Sequence, residues 1–223
     1  MPRLVTFGDS YTYGDGLEDC WTNDPKHGWR SGHTPSRFAW PSLLAKELGY
    51  KLDNQARPGF SNIAILHQLL NFKLNADDVV IIMWSFAERD MIFHHNYIPN
   101  PFMINELEVD YTSRVSKMGS WIDTDLAKNW AITHNNTDLV MRSWYHIHHA
   151  NLYLSSLSIP HYNFFVDWQA FEHLKPRYIN IPFKNVCNWN NTDRALDGKH
   201  PGPNTHIALA NNFKTCLIED SII

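Results

Sequence analysis

The chain alternates between short runs of apolar residues and longer segments in which apolar residues recur at helical spacing. Runs of the first kind predict strands at residues 3–7, 51–54, 78–84, 161–167 and 177–181. The second kind predicts helices at residues 38–49, 61–74 and 203–218. The run after Asp78 is apolar on both faces, which is typical of a central parallel strand.

Strands and helices that alternate in this order favour a parallel sheet covered on both faces. We therefore predict an α/β fold with three α/β/α layers and a flavodoxin-like parallel sheet of about five strands. Gly49 is a usual place for the first long helix to stop, and Ser61 or Asn62 is expected to cap the next one.

Two segments do not follow this alternation. Residues 15–37 are polar and long, and loops of this length are usually functional or disordered. Residues 91–150 exceed what one crossover connection needs, so they predict either an insertion that caps a site or a crossover with extra helices. We expect a single domain over residues 1–223 that carries both segments.

The composition of the chain limits which partners and which cellular compartment we expect. The 223 residues, 43% of them hydrophobic, suffice for one substantial core. A net charge of -4 gives no basic field for nucleic acid. The longest apolar run, residues 79–84, is far shorter than the roughly 20 residues that cross a bilayer. Without a signal-like start, and with three cysteines in no metal-ligand spacing, we expect a cytoplasmic protein with reduced thiols.

Candidate chemistry begins with the heptapeptide GDSYTYG at residues 8–14, directly after the first predicted strand. Loops at the carboxyl ends of parallel strands line the ligand crevice of an open sheet, so the hydroxyl of Ser10 is placed to act as a nucleophile. A serine hydroxyl needs a base to take its proton, usually a histidine oriented by a carboxylate. By itself, Gly-Asp-Ser is equally a common turn.

The segment DGKHP, just before the last predicted helix, offers both missing groups. Asp197 and His200 are three residues apart, so one turn brings the carboxylate to one imidazole nitrogen and leaves the other for Ser10. The alternative is an aspartate that caps the helix beside a surface histidine. Because one motif follows the first strand and the other precedes the last helix, we favour catalysis.

These blocks resemble the SGNH or GDSL hydrolases. GDSYTYG is similar to the family's GDS-x-T-x-G, and DGKHP to its Asp-x-x-His block. The resemblance implies that Ser10 is the nucleophile and an oxyanion donor, with Asp197 and His200 completing the triad. Within DNQARPGFSN, residues 53–62, Gly59 matches the glycine whose amide donates to the oxyanion.

The third block departs from the family. Where Gly-x-Asn-Asp commonly stands, this chain has WSFAERD at residues 84–90, without the asparagine that supplies another oxyanion donor. Ser85 is the expected substitute, through its hydroxyl or amide, with Arg89 less favoured. Its alternative is a strand-end serine bonded to its own backbone. We assign Asp9, Trp84 and Arg89 to substrate binding, although Asp9 also suits a structural role in the turn.

The resemblance implies a serine ester hydrolase that needs no metal or organic cofactor. A carbohydrate O-acetylesterase acting on a glycan or small-molecule ester is the leading expectation. A lipid acyl hydrolase or lysophospholipase-like esterase is second, and a non-catalytic carbohydrate-binding or structural module on the same scaffold is third. Hydrolysis is expected to decline as the pH falls and His200 becomes protonated.

The many tryptophans and histidines raise two further hypotheses, one about sugar binding and one about a metal site. The chain has nine tryptophans, and five of them in the two unusual segments suit either sugar stacking or core packing: Trp21, Trp29, Trp121, Trp130 and Trp144. Thirteen histidines invite a metal site, notably at His94–His95 and residues 146–149, but no zinc-type spacing supports one. His206 is predicted to be a packed or capping residue.

Overall fold

The computed structural model describes residues 2–24, 28–32, 34–93, 115–118, 125, 129, 136–177, 179 and 193–219. Eight strands lie within these ranges: β1 (Arg3–Phe7), β2 (Trp21–Asp24), β3 (Gly28–Ser31), β4 (Lys51–Asn54), β5 (Asp78–Trp84), β6 (Asp90–Phe93), β7 (Val115–Met118) and β8 (His161–Phe165). The helices there are α1 (Ser10–Tyr13), α2 (Trp40–Leu48), α3 (Asn62–Leu70), α4 (Asn136–Ser156), α5 (Trp168–Glu172) and α6 (Pro203–Glu219).

Among the described residues, the main sheet is parallel and four-stranded, in the order β4-β1-β5-β8. This order confirms the flavodoxin-like arrangement, with four of the expected five strands in the described part of the chain. Most of the predicted strand 177–181 lies outside the described residues, and Arg177 and Ile179 are not in a strand. Strand order reverses between β1 and β5, so the crevice beyond their carboxyl ends is the expected ligand site of this topology.

Helices cover both faces of the sheet. Leu4 and Val79 pack with Trp40 of α2 and Phe213 of α6 on one face. Their strand neighbours Val5 and Val80 point the opposite way, into a core built with α3 and α4. This alternation follows from the pleat of a strand, in which successive side chains point to opposite faces. The three predicted layers are therefore present.

The strand predictions 3–7, 51–54 and 78–84 agree with β1, β4 and β5 at both ends. Helix α2 ends at Gly49, whose φ of 68° is the left-handed conformation that glycine adopts readily. Ser61 is the N-cap residue of α3, although its side chain makes no capping hydrogen bond.

The predicted polar loop 15–37 contains regular structure. Strands β2 and β3 pair as an antiparallel hairpin, from Trp21 opposite Ser31 to Asp24 opposite Gly28. The Tyr13 hydroxyl donates to the carbonyl of Gly32 at 2.7 Å and so ties the base of the hairpin to α1. In the range 91–150, residues 136–150 belong to α4, which packs on the sheet through Trp144 and Ile147.

Among the described residues, no helix combines the length and the apolar character that crossing a bilayer requires.

Candidate active site

The nucleophile turn occupies the end of β1. The strand stops at Phe7, and Asp9 becomes the N-cap of the short helix α1, with its carboxylate accepting a hydrogen bond from the Tyr11 amide at 3.0 Å. Ser10 is the first residue of that helix and is 4% exposed. The turn therefore holds the serine at the carboxyl end of the sheet, as the motif predicts.

Ser10, His200 and Asp197 form one line of hydrogen bonds. The Ser10 hydroxyl lies 3.0 Å from Nε2 of His200. On the other side of the ring, Nδ1 of His200 donates to Oδ2 of Asp197. With the Nδ1 proton held by the carboxylate, Nε2 is left as the acceptor for the serine proton. The arrangement has the geometry of a nucleophile, its base and an orienting acid.

One hydrogen bond joins the DGKHP loop to the nucleophile turn, and a second closes that loop on itself. The Leu196 amide donates to the carbonyl of Gly16 at 2.9 Å, which joins this segment to the chain just beyond α1. The Ala195 amide donates to the carbonyl of His200 at 3.0 Å and closes the loop on itself. Since α6 begins at Pro203, the triad loop is anchored at both ends.

The carboxylate of Asp197 stays ionised through its hydrogen bonds. Burial alone raises the pKa of this group, but bonds from the His200 side chain and from the amides of Lys199 and His200 outweigh it, and the pKa lies below its ordinary value. Its Oδ1 accepts from those amides at 2.9 and 3.0 Å. A charged carboxylate is what an imidazole needs beside it when it becomes protonated.

The two amides that are expected to donate to the oxyanion are those of Ser10 and Gly59. Within the described part of the chain, the amides of Ser10 and Gly59 have no hydrogen-bond acceptor. Gly59 has a φ of 77°, which favours glycine, and it follows Arg57, whose amide donates to the Gly8 carbonyl at 3.2 Å. The loop after β4, which carries Gly59, is therefore fastened to the nucleophile turn through Arg57.

Ser85, predicted to act as an oxyanion donor, lies between Asp9 and Asn62. Its hydroxyl donates to Oδ2 of Asp9 at 2.6 Å, and its amide donates to Oδ1 of Asn62 at 2.8 Å. Both donors of Ser85 therefore have acceptors inside the protein, and the residue is 0% exposed. The structure uses this serine to join the end of β5 to the nucleophile turn and to α3.

Two of the three predicted substrate-binding residues are enclosed. Trp84 is 0% exposed and donates from Nε1 to Oδ1 of Asn163 at 2.8 Å, so its ring is enclosed by protein and does not line an open crevice. As the last residue of a strand buried on both faces, it points into the core. Asp9 is also 0% exposed, in agreement with its structural alternative. Arg89, with a 15% exposed side chain, binds Asp9 at 2.6 Å.

Two aromatic residues that sequence reasoning missed lie beside the base. The ring of Tyr11 meets that of His200 edge-on, with centroids 5.6 Å apart. Phe86 lies 5.8 Å beyond Tyr11. Both rings are partly exposed, so they provide apolar surface next to the triad. Their positions in the sequence, directly after Ser10 and Ser85, were the available signal.

The outcome for the other tryptophans and histidines depends on whether the structure describes them. Trp144 is 0% exposed and donates to the Phe171 carbonyl at 3.2 Å, so it serves the core. Trp121, Trp130 and His94–His95 lie outside the described residues, as does the side chain of Trp29.

In the described ranges, no three His, Cys, Asp or Glu side chains gather as a metal site. His206 packs in the core and accepts from the Trp40 amide at the start of α2, as predicted.

No protein-family model and no curated protein matches the chain. Among solved structures, it is similar to a carbohydrate esterase family 2 enzyme plus carbohydrate binding domain from Corynascus thermopiles (Myceliophthora fergusii). The identity is 14%, the TM-score 0.55, and the match covers 97% of this chain and 65% of that chain. It is also similar to the acetyl xylan esterase Est2A from Butyrivibrio proteoclasticus, at 12% identity, a TM-score of 0.54, and 98% and 64% coverage.

A third similar structure is that of TesA, at 13% identity and a TM-score of 0.52, covering 96% of this chain and 97% of that chain. The chain thus spans less than two thirds of the two esterases and nearly all of TesA. At such identities the likeness concerns the fold. With its flavodoxin-like parallel sheet between two layers of helices, the chain shares its fold with these two esterases and with TesA.

Proposed function

We propose that this chain is a serine-dependent ester hydrolase. The observation that carries the proposal is the hydrogen-bonded line from Ser10 through His200 to Asp197, assembled from the two ends of the chain. The unpaired amides of Ser10 and Gly59 within the described residues support it further, because acyl transfer needs donors aimed at a developing oxyanion.

The mechanism follows from the positions of these atoms. The Ser10 oxygen attacks the ester carbonyl as Nε2 of His200 takes the hydroxyl proton, and the Ser10 and Gly59 amides hold the oxyanion. The tetrahedral intermediate collapses, and the imidazolium gives its proton to the leaving alcohol. Water then attacks the acyl-enzyme with His200 as base, which releases the acid and restores the serine. Asp197 stabilises the imidazolium in both halves.

A carbohydrate O-acetyl ester is the substrate class that we propose. Support comes from the fold neighbours, two of which are named as a carbohydrate esterase and an acetyl xylan esterase. The partly exposed Tyr11 and Phe86 beside the base suit this class as well, since aromatic rings pack well against the apolar faces of sugars. A lipid acyl ester is the competing class.

A non-catalytic glycan-binding module is the second candidate function. The feature that favours it is the third block, where no asparagine is present and both donors of Ser85 are bound within the protein. Loss of one oxyanion donor costs about 100-fold or more in rate. A fluorophosphonate probe separates the two candidates, because labelling at Ser10 supports the enzyme, whereas glycan binding without labelling supports the module.

Hydrolysis of p-nitrophenyl acetate and of longer acyl esters tests the enzyme directly. We expect activity in the wild type and its loss in Ser10→Ala and in His200→Ala. Matched controls are Ser156→Ala and His149→Ala, which change exposed residues of α4. A preference for acetyl over longer chains supports the acetylesterase, and the reverse preference supports the lipid hydrolase. Equal rates in wild type and Ser10→Ala would reject the mechanism.

A further inference from the structure

A buried ionic cluster lies directly behind the nucleophile. Oδ2 of Asp9 accepts from the Ser85 hydroxyl and from Nη1 of Arg89, each at 2.6 Å. The same guanidinium nitrogen lies 3.1 Å from the Ser85 oxygen. Asp9 and Ser85 are 0% exposed. The three residues join the end of β1 to the end of β5, the two strands between which the strand order reverses.

The bonds of Asp9 connect this cluster to the helix that carries the nucleophile. Its second oxygen, Oδ1, accepts from the Tyr11 amide at 3.0 Å and so caps α1. A buried carboxylate is stable only when charge and hydrogen bonds compensate its lost hydration. Arg89 supplies the opposite charge, and the direction of the carboxylate is therefore set by Arg89 and Ser85 together.

A second set of contacts leads from Arg89 to the base. The guanidinium lies over the ring of Phe86, 4.7 Å from its centroid. Phe86 contacts Tyr11 at 5.8 Å between centroids, and Tyr11 contacts His200 at 5.6 Å. The Arg89 side chain thus supports the nucleophile through Asp9. It supports the imidazole of His200 through the rings of Phe86 and Tyr11.

From these contacts we infer that Arg89 and Asp9 are a positioning pair for the reaction, and that Arg89 comes from the third block, which lacks the asparagine. Arg89 holds the Asp9 carboxylate, which fixes the first turn of α1 and with it the direction of the Ser10 amide and hydroxyl. On this inference both residues act through the turn and not on the reacting atoms themselves. The kinetic part of this inference rests on the proposed function, whereas the part that concerns the order of the turn does not.

The test compares Arg89→Gln, Asp9→Asn and the double variant with the wild type. Displacement of reacting groups by about 1 Å costs roughly 100-fold, so we expect each single variant to lose about that factor in kcat, with KM changed less than twofold. We expect the double variant to be no slower than the slower single variant, because both changes remove the same interaction. Arg89→Lys keeps the charge and is expected to recover part of the rate.

Arg37→Gln is the matched control. Arg37 also has an aspartate partner, Asp19 at 3.4 Å, and lies over a phenylalanine, Phe38 at 5.3 Å, but its side chain is 79% exposed. We expect it to keep wild-type kcat. If its loss equals that of Arg89→Gln, the effect is general to arginine removal and the inference fails.

Hydrogen–deuterium exchange of residues 8–14 gives a readout that needs no turnover. We expect faster exchange there in Arg89→Gln and in Asp9→Asn, with unchanged exchange in β8. Wild-type exchange and wild-type kcat in Arg89→Gln would overturn the inference, as would Arg89→Lys being as slow as Arg89→Gln. If the wild type neither hydrolyses esters nor reacts with a fluorophosphonate, the proposed function fails, and the exchange result still decides whether the pair orders the turn.

Discussion

Gly16 packs directly against the carboxyl group of Asp197. A Cβ atom on Gly16 would lie 2.8 Å from both Cγ and Oδ1 of Asp197, closer than real Cβ contacts allow. Gly16 also has a φ of 83°, in the left-handed region where a side chain is strained. The loop beyond α1 therefore sets the position of the acid that orients the base.

Replacing Gly16 with alanine is expected to lower kcat by about 10- to 100-fold, because displacement of Asp197 moves His200 away from Ser10. The backbone strain adds a loss of roughly 1–2 kcal/mol in the free energy of unfolding. Ester hydrolysis and urea denaturation measure the two effects separately.

Gly49→Ala is the control for strain alone. Gly49 has a φ of 68°, and a Cβ there has no atom within 4 Å. We expect it to lose stability like Gly16→Ala and to keep kcat. Equal kcat values in the two variants would show that Gly16 has no influence on Asp197.

The charge of Asp197 is expected to be essential for hydrolysis, because it stabilises the imidazolium of the base. The pKa of Asp197 lies below its ordinary value, so this carboxylate remains charged over the range from about pH 5 to 8 in which histidines usually titrate. In Asp197→Asn the amide can donate a hydrogen bond to Nδ1 and favours the wrong tautomer. We expect kcat to fall by roughly 1,000-fold or more, with a well-folded protein by circular dichroism. Wild-type kcat in Asp197→Asn would speak against a role for this carboxylate in orienting the base.

The parts of the fold that rest on continuous burial could be predicted from the sequence. Strands β1 and β5 are apolar on both faces and end at polar turns, so their bounds followed from the pattern. The hairpin of β2 and β3 could not be predicted, because WTND and GWRS carry no alternation of apolar residues. Its strands are specified by their pairing rather than by their pattern.

In the candidate site, too, some features could be predicted from the sequence and others could not. Ser10, Asp197 and His200 could be found because each lies in a local motif next to a strand or helix end. The contacts of Asp9 with Ser85 and Arg89 join residues 76 and 80 positions apart, and no local pattern marks such a pair. The burial of Trp84 could not be predicted either, because a strand end indicates closeness to the crevice, whereas the pleat decides on which side the ring lies.

The amino ends of β1 and β5 lie at the end of the sheet opposite the candidate site. A substitution there tests stability without an effect on the site. Arg3 binds the carboxylate of Asp78 with Nε and Nη2 at 2.9 and 2.6 Å, and Asp78 is 1% exposed. Arg3→Ala leaves this buried charge without its partner and is expected to cost about 3–5 kcal/mol in the free energy of unfolding. Urea denaturation measures the loss.

Lys214→Ala serves as the comparison for Arg3. Its ion pair with Glu47 has a similar length, 2.9 Å, but the side chains are 41% and 40% exposed. Exposed pairs contribute about 0–1 kcal/mol. A loss in Arg3→Ala as small as this would mean that Asp78 is hydrated or neutral without Arg3.

His206 makes stability depend on pH. Burial lowers the pKa of this imidazole from 6.5 to about 4, and the smaller effect of Asp193, which raises it, does not compensate. Between these two values the unfolded chain binds a proton that the folded chain does not bind. The stability that the neutral imidazole contributes is therefore present above about pH 6.5 and decreases as the pH falls towards 4.

His206→Asn is expected to remove this dependence, because asparagine does not titrate and its amide oxygen can still accept from the Trp40 amide. The difference in unfolding free energy between wild type and variant should shrink by up to about 1.4 kcal/mol per pH unit below pH 6.5. His67 and His146 also have pKa values lowered by burial, but both proteins share them, so the difference isolates His206. Parallel stability curves for the two proteins between pH 7 and pH 5 would show that His206 is protonated equally in the folded and unfolded chains.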